Sequence, residues 1–195
     1  MSSDVPGIRD AAALGCGDTC RAVGVRVTLR SVKTAQPQLT QIVRAEMGDA
    51  FALAALQLQA NREQGRSGER GYLDRFADAW IATADRRPAW LAMSLDGRPL
   101  GSVILYVVEG LPRPGRTPRP RVLLTDAYVV ADVRRTGLGE RLVRSALAWS
   151  KGRQAVWVQV DGKAIAGSYE FWRKVGFAAA ADGVYQFRGL DGASL

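Results

Sequence analysis

The sequence contains no histidine and only two cysteines, Cys16 and Cys20, among its 195 residues. Without histidine, Ser-His-Asp and Cys-His catalysis, histidine-bearing zinc sites and two-histidine iron sites are excluded. Two cysteines can build neither a disulfide framework nor a four-thiolate metal site. The pair could be redox-active or bind a metal, but it lacks the further ligands of a tetrahedral site, which favours two thiols without a function. We therefore expect no metal centre.

Long apolar runs are also missing, since no stretch approaches the roughly 20 apolar residues that span a bilayer. Residues 1–24 include Asp4 and Arg9 and lack the basic start and apolar stretch of a signal peptide. These absences predict a cytoplasmic protein without a membrane partner. The length, with 47% hydrophobic and 24% charged residues, suits one ordinary globular domain.

Lysine is scarce, with four residues against 23 arginines, and the formal net charge is +8. Such a basic chain favours an anionic partner, which could be a nucleotide-like cofactor, a nucleic acid or an acidic surface. Residues 111–144 hold eight arginines against three carboxylates, a net charge of +5. More than half of the excess charge is therefore expected around one segment, which favours a cofactor and makes a nucleic acid a poor candidate.

The remaining pattern divides the chain into a flexible leader, residues 1–23, and one mixed α/β domain, residues 24–195. Alternating or continuous apolar runs predict strands at residues 25–30, 90–95, 100–108, 121–130, 155–160 and 183–188. Apolar residues at steps of three and four predict one or two helices within residues 40–63, and single helices at 72–84, 140–150 and 164–175. Asp96-Gly97 predicts a hairpin turn, and the proline-rich residues 109–120 predict a stiff exposed connection. Trp80 and Trp90 fall on apolar stripes and are expected in the core.

The most informative stretch is residues 128–147, where a strand ends, a short loop carries Gly137 and Gly139, and a helix begins at once. Backbone N–H groups in such a loop, together with the positive end of the helix, form a site for a phosphate. The glycines let a ligand approach without interference from a Cβ atom, and Arg134 and Arg135 add permanent charge. The stretch lacks the lysine and hydroxyl of a P-loop and the glycine spacing of a dinucleotide fold.

Residues 134–139, RRTGLG, resemble the Q/R-x-x-G-x-G/A signature of the GNAT family of N-acetyltransferases. Residues 126–133, DAYVVADV, match the family strand that leads into this loop, and residues 171–177, FWRKVGF, resemble the later family segment L-Y-E-K-L-G-F. The predicted element order agrees over about 160 residues. The resemblance implies a single GNAT-like α/β domain with a mixed, mostly antiparallel central sheet, helices on both faces and a splayed parallel strand pair.

The same resemblance implies acetyl-CoA as a co-substrate and transfer of its acetyl group to a primary amine by direct attack on the thioester. The loop amides would bind the diphosphate, the end of strand 121–130 would pair with the pantetheine arm, and the splay between strands 121–130 and 155–160 would hold the thioester. The cofactor-binding residues implied in this way are Ala127, Tyr128, Val129, Arg134, Arg135, Thr136, Gly137, Leu138, Gly139 and Trp172.

Two residues are candidates for catalysis, Asp126 and Tyr169. In a chain without histidine the base must be a carboxylate or a water relayed by one. Asp126 stands where the family often places an acidic residue that faces the acceptor, so it would order the amine; alternatively, it is a strand-end aspartate bonded to a local amide. The family tyrosine that protonates the CoA thiolate aligns with Trp172, whose indole cannot do this. Tyr169, one helical turn earlier, could replace it, could be a core or substrate-wall residue, or solvent could supply the proton.

Two further departures from the family are Ile165, in place of an asparagine, and Arg135, where a glycine often follows the first arginine. Three functions stay open. The first is N-acetylation of a small-molecule amine. The second is acetylation of a protein lysine or N-terminus, and the third is a CoA-binding or nucleic-acid-binding module that has lost catalysis. A homodimer is common in the family.

Overall fold

The computed structural model describes residues 40–161, 168–180, 184–187 and 190. Within them, seven strands form one sheet in the order β1-β2-β3-β4-β5-β7-β6. The strands are β1 (Gln41–Arg44), β2 (Ala89–Met93), β3 (Pro99–Val108), β4 (Arg121–Val129), β5 (Val158–Asp161), β6 (Ala178–Ala179) and β7 (Val184–Phe187). The helices are α1 (Ala50–Glu63), α2 (Tyr72–Ile81), α3 (Leu138–Gly152) and α4 (Tyr169–Lys174), with 3₁₀ turns at Met47–Asp49 and Ala131–Val133. The predicted leader and the strand predicted at residues 25–30 lie outside the described residues.

The β2–β3 hairpin forms where the Asp-Gly dipeptide predicts it. Gly97 has a φ of +79°, which glycine adopts without strain, and the amide of Ser94 donates to the carbonyl of Arg98 at 3.0 Å. Strand β3 is the longest, and most of its residues are buried, because strands flank it on both sides and α1 and α3 both contact it.

Helices cover both faces of the sheet, as the resemblance predicts. Gly101 and Ser102 are neighbours in β3 and therefore point to opposite faces. A Cβ atom on Gly101 would lie 3.2 Å from Leu142 of α3, so α3 covers that face. Ser102 pairs with Tyr128 of β4, whose hydroxyl bonds to Glu63 at the end of α1, so α1 covers the other face.

The parallel pair is splayed, which confirms the remaining part of the predicted fold. Among the described residues, β5 pairs with β4 only at Val122, Leu124 and the residue between them. Strand β4 continues to Val129, so its second half has an edge that β5 does not pair with.

Most predicted elements are found within a few residues of their expected bounds, but residues 41–44 form strand β1 and not part of a helix. Ile42 and Val43 are β-branched, yet four residues are too short to show an alternation beside the alanine- and leucine-rich helix that follows. The two-residue strand β6 was not predicted. Helix α4 begins at Tyr169, and residues 164–167 of the predicted helix lie outside the described residues.

The core contains the apolar stripes that the sequence predicts. Trp80 and Trp90 are only 4% and 6% exposed, and the Trp80 indole donates to the Arg87 carbonyl at 3.0 Å. The apolar stripe of α3 predicts six core residues, of which five are buried: Leu138, Leu142, Val143, Ala146 and Leu147. The sixth, Trp149, is half-buried, with its ring edge against Trp90 at 5.8 Å between ring centres.

Candidate active site

Strand β4 carries a β-bulge at Thr125, just beyond its last pairing with β5. Ile104 pairs with Asp126, while the next residue of β3, Leu105, pairs with Leu124, so Thr125 is an extra residue in β4. Ile104 and Leu105 are neighbours in β3, so their side chains point to opposite faces of the sheet. Their partners Asp126 and Leu124 therefore also point to opposite faces, although residues two apart in a regular strand would share one face. The bulge therefore turns Asp126 to the face that α1 covers.

The end of β4 presents backbone groups at its open edge, the edge with which no strand pairs among the described residues. The amide of Val130 donates to the Leu100 carbonyl of β3 at 3.0 Å. Backbone groups of alternate residues share an edge, so those of Tyr128 also point to β3, while those of Ala127 and Val129 point to the edge beside β5. Of the three strand-end residues predicted to pair with a ligand arm, only Ala127 and Val129 are oriented to do so through their backbones.

The glycine loop leads directly into α3. Gly137 is the residue before the helix, has a φ of +85°, and makes no side-chain cap. A Cβ atom there would meet nothing within 4 Å, so the loop leaves open space in front of the helix. The first amides of a helix have no partner within it, and the helix dipole makes this end positive. Leu138 is 3% exposed, so only its backbone belongs to the loop surface.

Arg135 adopts a left-handed backbone with a φ of +67°. This conformation favours glycine, which is the residue that the family often has here, and it costs an arginine roughly 1 kcal/mol or more. The side chain is exposed. Next to it, the Thr136 hydroxyl donates to the Val133 carbonyl at 2.7 Å and fixes the turn from within.

Gly139 connects the loop to α4. A Cβ atom on Gly139 would lie 3.5 Å from the Phe171 ring and 3.6 Å from Val129, which is ordinary contact. A Cβ atom would therefore fit here, so neither the packing nor the backbone requires glycine at this position.

Glu140 lies in the first turn of α3 but is neutralised by two cations. Lys174 of α4 approaches it at 3.0 Å and Arg144 at 2.9 Å. Hydrogen bonds from Lys174, and next from Arg144, hold the pKa of Glu140 below its ordinary value. Together, the three side chains leave the start of the helix positive.

Asp126 faces a small polar group at the α1–α2 side of the sheet. It is half-buried, and burial, followed by the charge of Asp126, raises the pKa of Tyr72 in α2. Asn61 of α1, whose side-chain oxygen accepts from Arg66 at 3.1 Å, partly offsets this rise in the Tyr72 pKa. Asp126 therefore lies near Tyr72, on the side of the sheet that α1 covers.

Tyr169 of α4 lies over a different part of the sheet from Asp126. Its ring meets Tyr185 of β7 edge-on, with 5.4 Å between ring centres, and it is 45% exposed. Strand β7 is separated from β4 by β5. Burial, and next the neighbouring Tyr169, raise the pKa of Tyr185.

Trp172 belongs to the buried side of α4. It is 5% exposed, and its indole N–H donates to the Ser168 hydroxyl at 3.1 Å. Its ring packs edge-on against Phe171 and Phe177, with 5.1 and 5.2 Å between ring centres. With its N–H already bonded, Trp172 can contact a ligand only through ring carbons.

A cluster of three side chains ties the end of α1 to the loop. We call Glu63, Tyr128 and Arg134 the Glu63 cluster. The Tyr128 hydroxyl donates to Glu63 at 2.7 Å, and Arg134 forms an ion pair with the same carboxylate. The Arg134 Nε atom donates to the Val129 carbonyl at 2.8 Å. Sequence reasoning missed Glu63 because it lies 65 and 71 residues from its two partners.

The cluster shifts the titration of all its members. Hydrogen bonds from Arg134, and next from Tyr128, hold the pKa of Glu63 below its ordinary value. Burial, and next the hydrogen bond to Glu63, raise the pKa of Tyr128 to about 12. Glu63 raises the pKa of Arg134. At neutral pH the cluster is therefore an anion, a neutral phenol and a cation.

The arginines of residues 111–144 divide between two ends of β4, unlike the single patch that the sequence suggests. Arg113, Arg116, Arg119 and Arg121 precede or begin the strand. The nine residues of β4 span about 26 Å, so these four lie far from the glycine loop. Arg119 also donates to two backbone carbonyls at 2.9 and 3.2 Å, which gives it a structural role.

Within the described part of the chain, no group of three or more histidine, cysteine, aspartate or glutamate residues is arranged to hold a metal ion. Over the same residues, no helix is both long and apolar enough to cross a membrane.

Comparisons with known proteins agree with this geometry. Residues 52–177 match the model of the Acetyltransferase (GNAT) family. No curated protein matches the sequence.

Solved structures share the fold. A protein described as a predicted acetyltransferase from Clostridium acetobutylicum, crystallised with acetyl-CoA, aligns over 74% of this chain and 93% of its own, with a TM-score of 0.62 and 12% identity. A GNAT family acetyltransferase from Brucella melitensis, in complex with acetyl-CoA, aligns over 77% and 88%, with a TM-score of 0.58 and 20% identity. One from Staphylococcus aureus Mu50 aligns over 76% and 98%, with a TM-score of 0.59 and 15% identity.

The family model covers well over half of the sequence, and it includes the bulged and splayed strand β4, the glycine loop and α3. The chain belongs to the GNAT acetyltransferase family.

Proposed function

We propose that the protein transfers the acetyl group of acetyl-CoA to a primary amine of a small molecule. The observation that carries the proposal is the juxtaposition of two features: the open edge of β4 at Ala127 and Val129, and the glycine loop that follows it into α3. The first offers backbone partners to an extended arm, and the second offers amides to a diphosphate. The catalytic domain in this proposal spans residues 24–195, after a leader.

The residues of the loop fit a diphosphate. Residues 135–139 supply backbone amides, the space in front of Gly137 admits the phosphates, and the exposed Arg135 supplies a permanent positive charge. Leu138 contributes its backbone and Trp172 contributes packing, because both side chains are buried. The described residues therefore provide for the diphosphate and the pantetheine arm of acetyl-CoA, which supplies the activated thioester.

In this proposal the thioester lies in the splay between β4 and β5, beside the end of β4. The Val129 amide points to the same edge, and a backbone N–H there would polarise the thioester carbonyl. Acetyl-CoA is an intracellular metabolite, so a cytoplasmic site of action is part of the proposal.

Asp126 orders the amine, directly or through a water molecule. The bulge turns it to the face that α1 covers, near Tyr72, and this half-buried carboxylate belongs to the acceptor side of the site in this proposal. In this proposal either Tyr169 or solvent protonates the leaving thiolate. The Tyr169 ring is nearly half exposed, but it lies over β7 and not over β4.

The proposal is tested by measuring thiol release from acetyl-CoA against a broad panel of small amines, with peptides bearing lysine or a free N-terminus as a second panel. Saturable release with at least one small amine supports it. Turnover with peptides alone would make the protein a protein acetyltransferase. Tight acetyl-CoA binding without transfer to either panel would contradict an enzymatic function.

The role of Asp126 predicts a separation of rate from affinity. Asp126→Ala should lower turnover by about 100-fold, which is typical of removing a group that handles a proton or orders a nucleophile. The affinity for acetyl-CoA, measured by calorimetry, should change little. Asp85→Ala, which removes an exposed carboxylate 3.9 Å from Arg86, is the control and should leave both quantities unchanged. An unaltered turnover in Asp126→Ala would show that a group other than Asp126 orders the amine.

A further inference from the structure

The Glu63 cluster connects the acceptor-side helix to the cofactor loop through one side chain. Arg134 is held at three points: its ion pair with Glu63, its Nε bond to the Val129 carbonyl at 2.8 Å, and its position over the Tyr128 ring, 5.5 Å from the ring centre. Val129 ends β4, and Arg134 begins the RRTGLG loop. The side chain therefore bridges the turn between the strand and the loop from within.

The positive charge of Arg134 is already balanced by the Glu63 carboxylate in this arrangement. Glu63 holds a pKa below its ordinary value, so it stays ionised and offsets the guanidinium at neutral pH. Arg135, by contrast, has an exposed side chain with no ion pair among the described residues. The two adjacent arginines of the loop thus differ in chemistry: one is paired and fixed, and the other is available to an anion.

We propose that Glu63 is a positioning residue for the acetyl-CoA loop: through Arg134 it fixes the Val129 carbonyl and the loop backbone, and Arg134 is not itself a phosphate ligand. This inference rests on the proposed function. It names a residue on α1, outside the loop motif, that determines cofactor affinity. In this proposal Arg134 positions the loop backbone and does not contribute its charge to phosphate binding.

The chemistry of arginine and glutamine gives a sharp test. Both side chains carry a nitrogen donor after three carbon atoms, so Arg134→Gln retains a donor where Arg134 Nε bonds to the Val129 carbonyl but removes the charge. Arg134→Ala removes both. If geometry is what matters, glutamine loses less affinity than alanine. If charge matters, both variants lose affinity alike.

The experiment is calorimetric titration of acetyl-CoA into the full-length protein and its variants at several salt concentrations. Glu63→Ala and Arg134→Ala should each raise the Kd by about tenfold, as expected for the loss of a charge-assisted hydrogen bond. The double variant should be no weaker than the weaker single one, because both act through one contact. Arg134→Gln should lose less affinity than Arg134→Ala, because it keeps the bond to the Val129 carbonyl and loses only the pair with Glu63. The double variant removes both charges of the pair, so it should leave the salt dependence of the Kd unchanged.

Tighter binding in Glu63→Ala would overturn the inference, because it would mean that Glu63 withholds the Arg134 charge from the phosphates. A reduced salt dependence in the double variant would overturn it as well, because it would show that the Arg134 charge acts on the phosphates. Glu69→Ala removes an ion pair with Arg75 on the exposed α1–α2 connection and is the matched control, which should leave the Kd unchanged. Tyr128→Phe, which keeps the buried ring and loses only the hydroxyl, should give a smaller rise in Kd and covers the case in which Glu63→Ala does not fold.

The two proposals fail in different ways. If the wild-type protein does not bind acetyl-CoA, the proposed function is wrong. If the wild type binds and Glu63→Ala binds equally well, only the positioning role is wrong.

Discussion

At the scale of single residues, two separate constraints favour glycine at position 137. Its φ of +85° strains any other residue, and the space beyond its α-carbon is where a diphosphate would lie. A substitution to alanine tests the first reason, and a substitution to aspartate tests both.

Gly137→Asp should reduce acetyl-CoA affinity by at least about 100-fold, because it adds bulk and negative charge at the site for the phosphates. Gly137→Ala introduces the same backbone strain without the charge, so it should lower the melting temperature comparably and reduce affinity far less. Calorimetry and thermal unfolding of both variants provide the comparison. Equal affinities for the two variants would place the diphosphate elsewhere.

The residue scale also shows where sequence reasoning ends. The motif RRTGLG identifies the loop, because its glycines and arginines are local signals. Glu63 and Tyr72 have no such signal, since their roles arise only when α1 and α2 are packed against β4. Likewise, the burial of Trp172 was not predicted, because its family position suggested a cofactor contact rather than a core side chain.

At the scale of elements, the loop between β4 and α3 bends through two left-handed residues, Arg135 and Gly137. Arg135 carries strain that a glycine would relieve, while its charge faces solvent near the helix start. We infer that this position exchanges some stability for a permanent positive charge.

Arg135→Gly should therefore change two properties in opposite directions. The free energy of unfolding should rise by up to about 1 kcal/mol, and the affinity for acetyl-CoA should fall. Chemical denaturation and calorimetry measure the two quantities. Gln154→Gly is the matched control: Gln154 also has a positive φ, of +55°, but follows the far end of α3, so this change should stabilise without altering affinity. A loss of stability in Arg135→Gly would contradict the strain argument.

Elements were predicted correctly where the hydrophobic pattern extends over many residues, and incorrectly where pairing with a distant strand determines the structure. Helices α2 and α3 and the Asp-Gly hairpin follow from local patterns. Strand β1 is only four residues long and becomes a strand by pairing with β2. The bulge at Thr125 exists only in the register with β3, so the alternation of β4 by itself could not place Asp126 on the α1 face.

At the scale of the whole molecule, charge that is contiguous in sequence is divided by the fold. Strand β4 separates the arginines of the proline-rich connection from those of the glycine loop by about 26 Å. This exceeds the screening length of roughly 8 Å at physiological ionic strength, so the two groups act independently on a bound anion.

Replacing both Arg113 and Arg116 with glutamine should leave the affinity for acetyl-CoA unchanged at physiological salt, although it removes two positive charges. Arg135→Gln, which removes only one, should weaken binding and reduce its dependence on salt. Titrations of the two variants in parallel measure this difference. A larger loss in the double variant would show that the connection, and not the loop, attracts the anion.

The central claim is that the amides at the start of α3 hold the diphosphate of acetyl-CoA while the pantetheine arm lies along the end of β4. The most direct measurement is a crystal structure of the protein with acetyl-CoA bound. The account predicts phosphate oxygens within hydrogen-bonding distance of the amide nitrogens of residues 135–139, and pantetheine beside Ala127 and Val129. A diphosphate bound at any other part of the surface would contradict it.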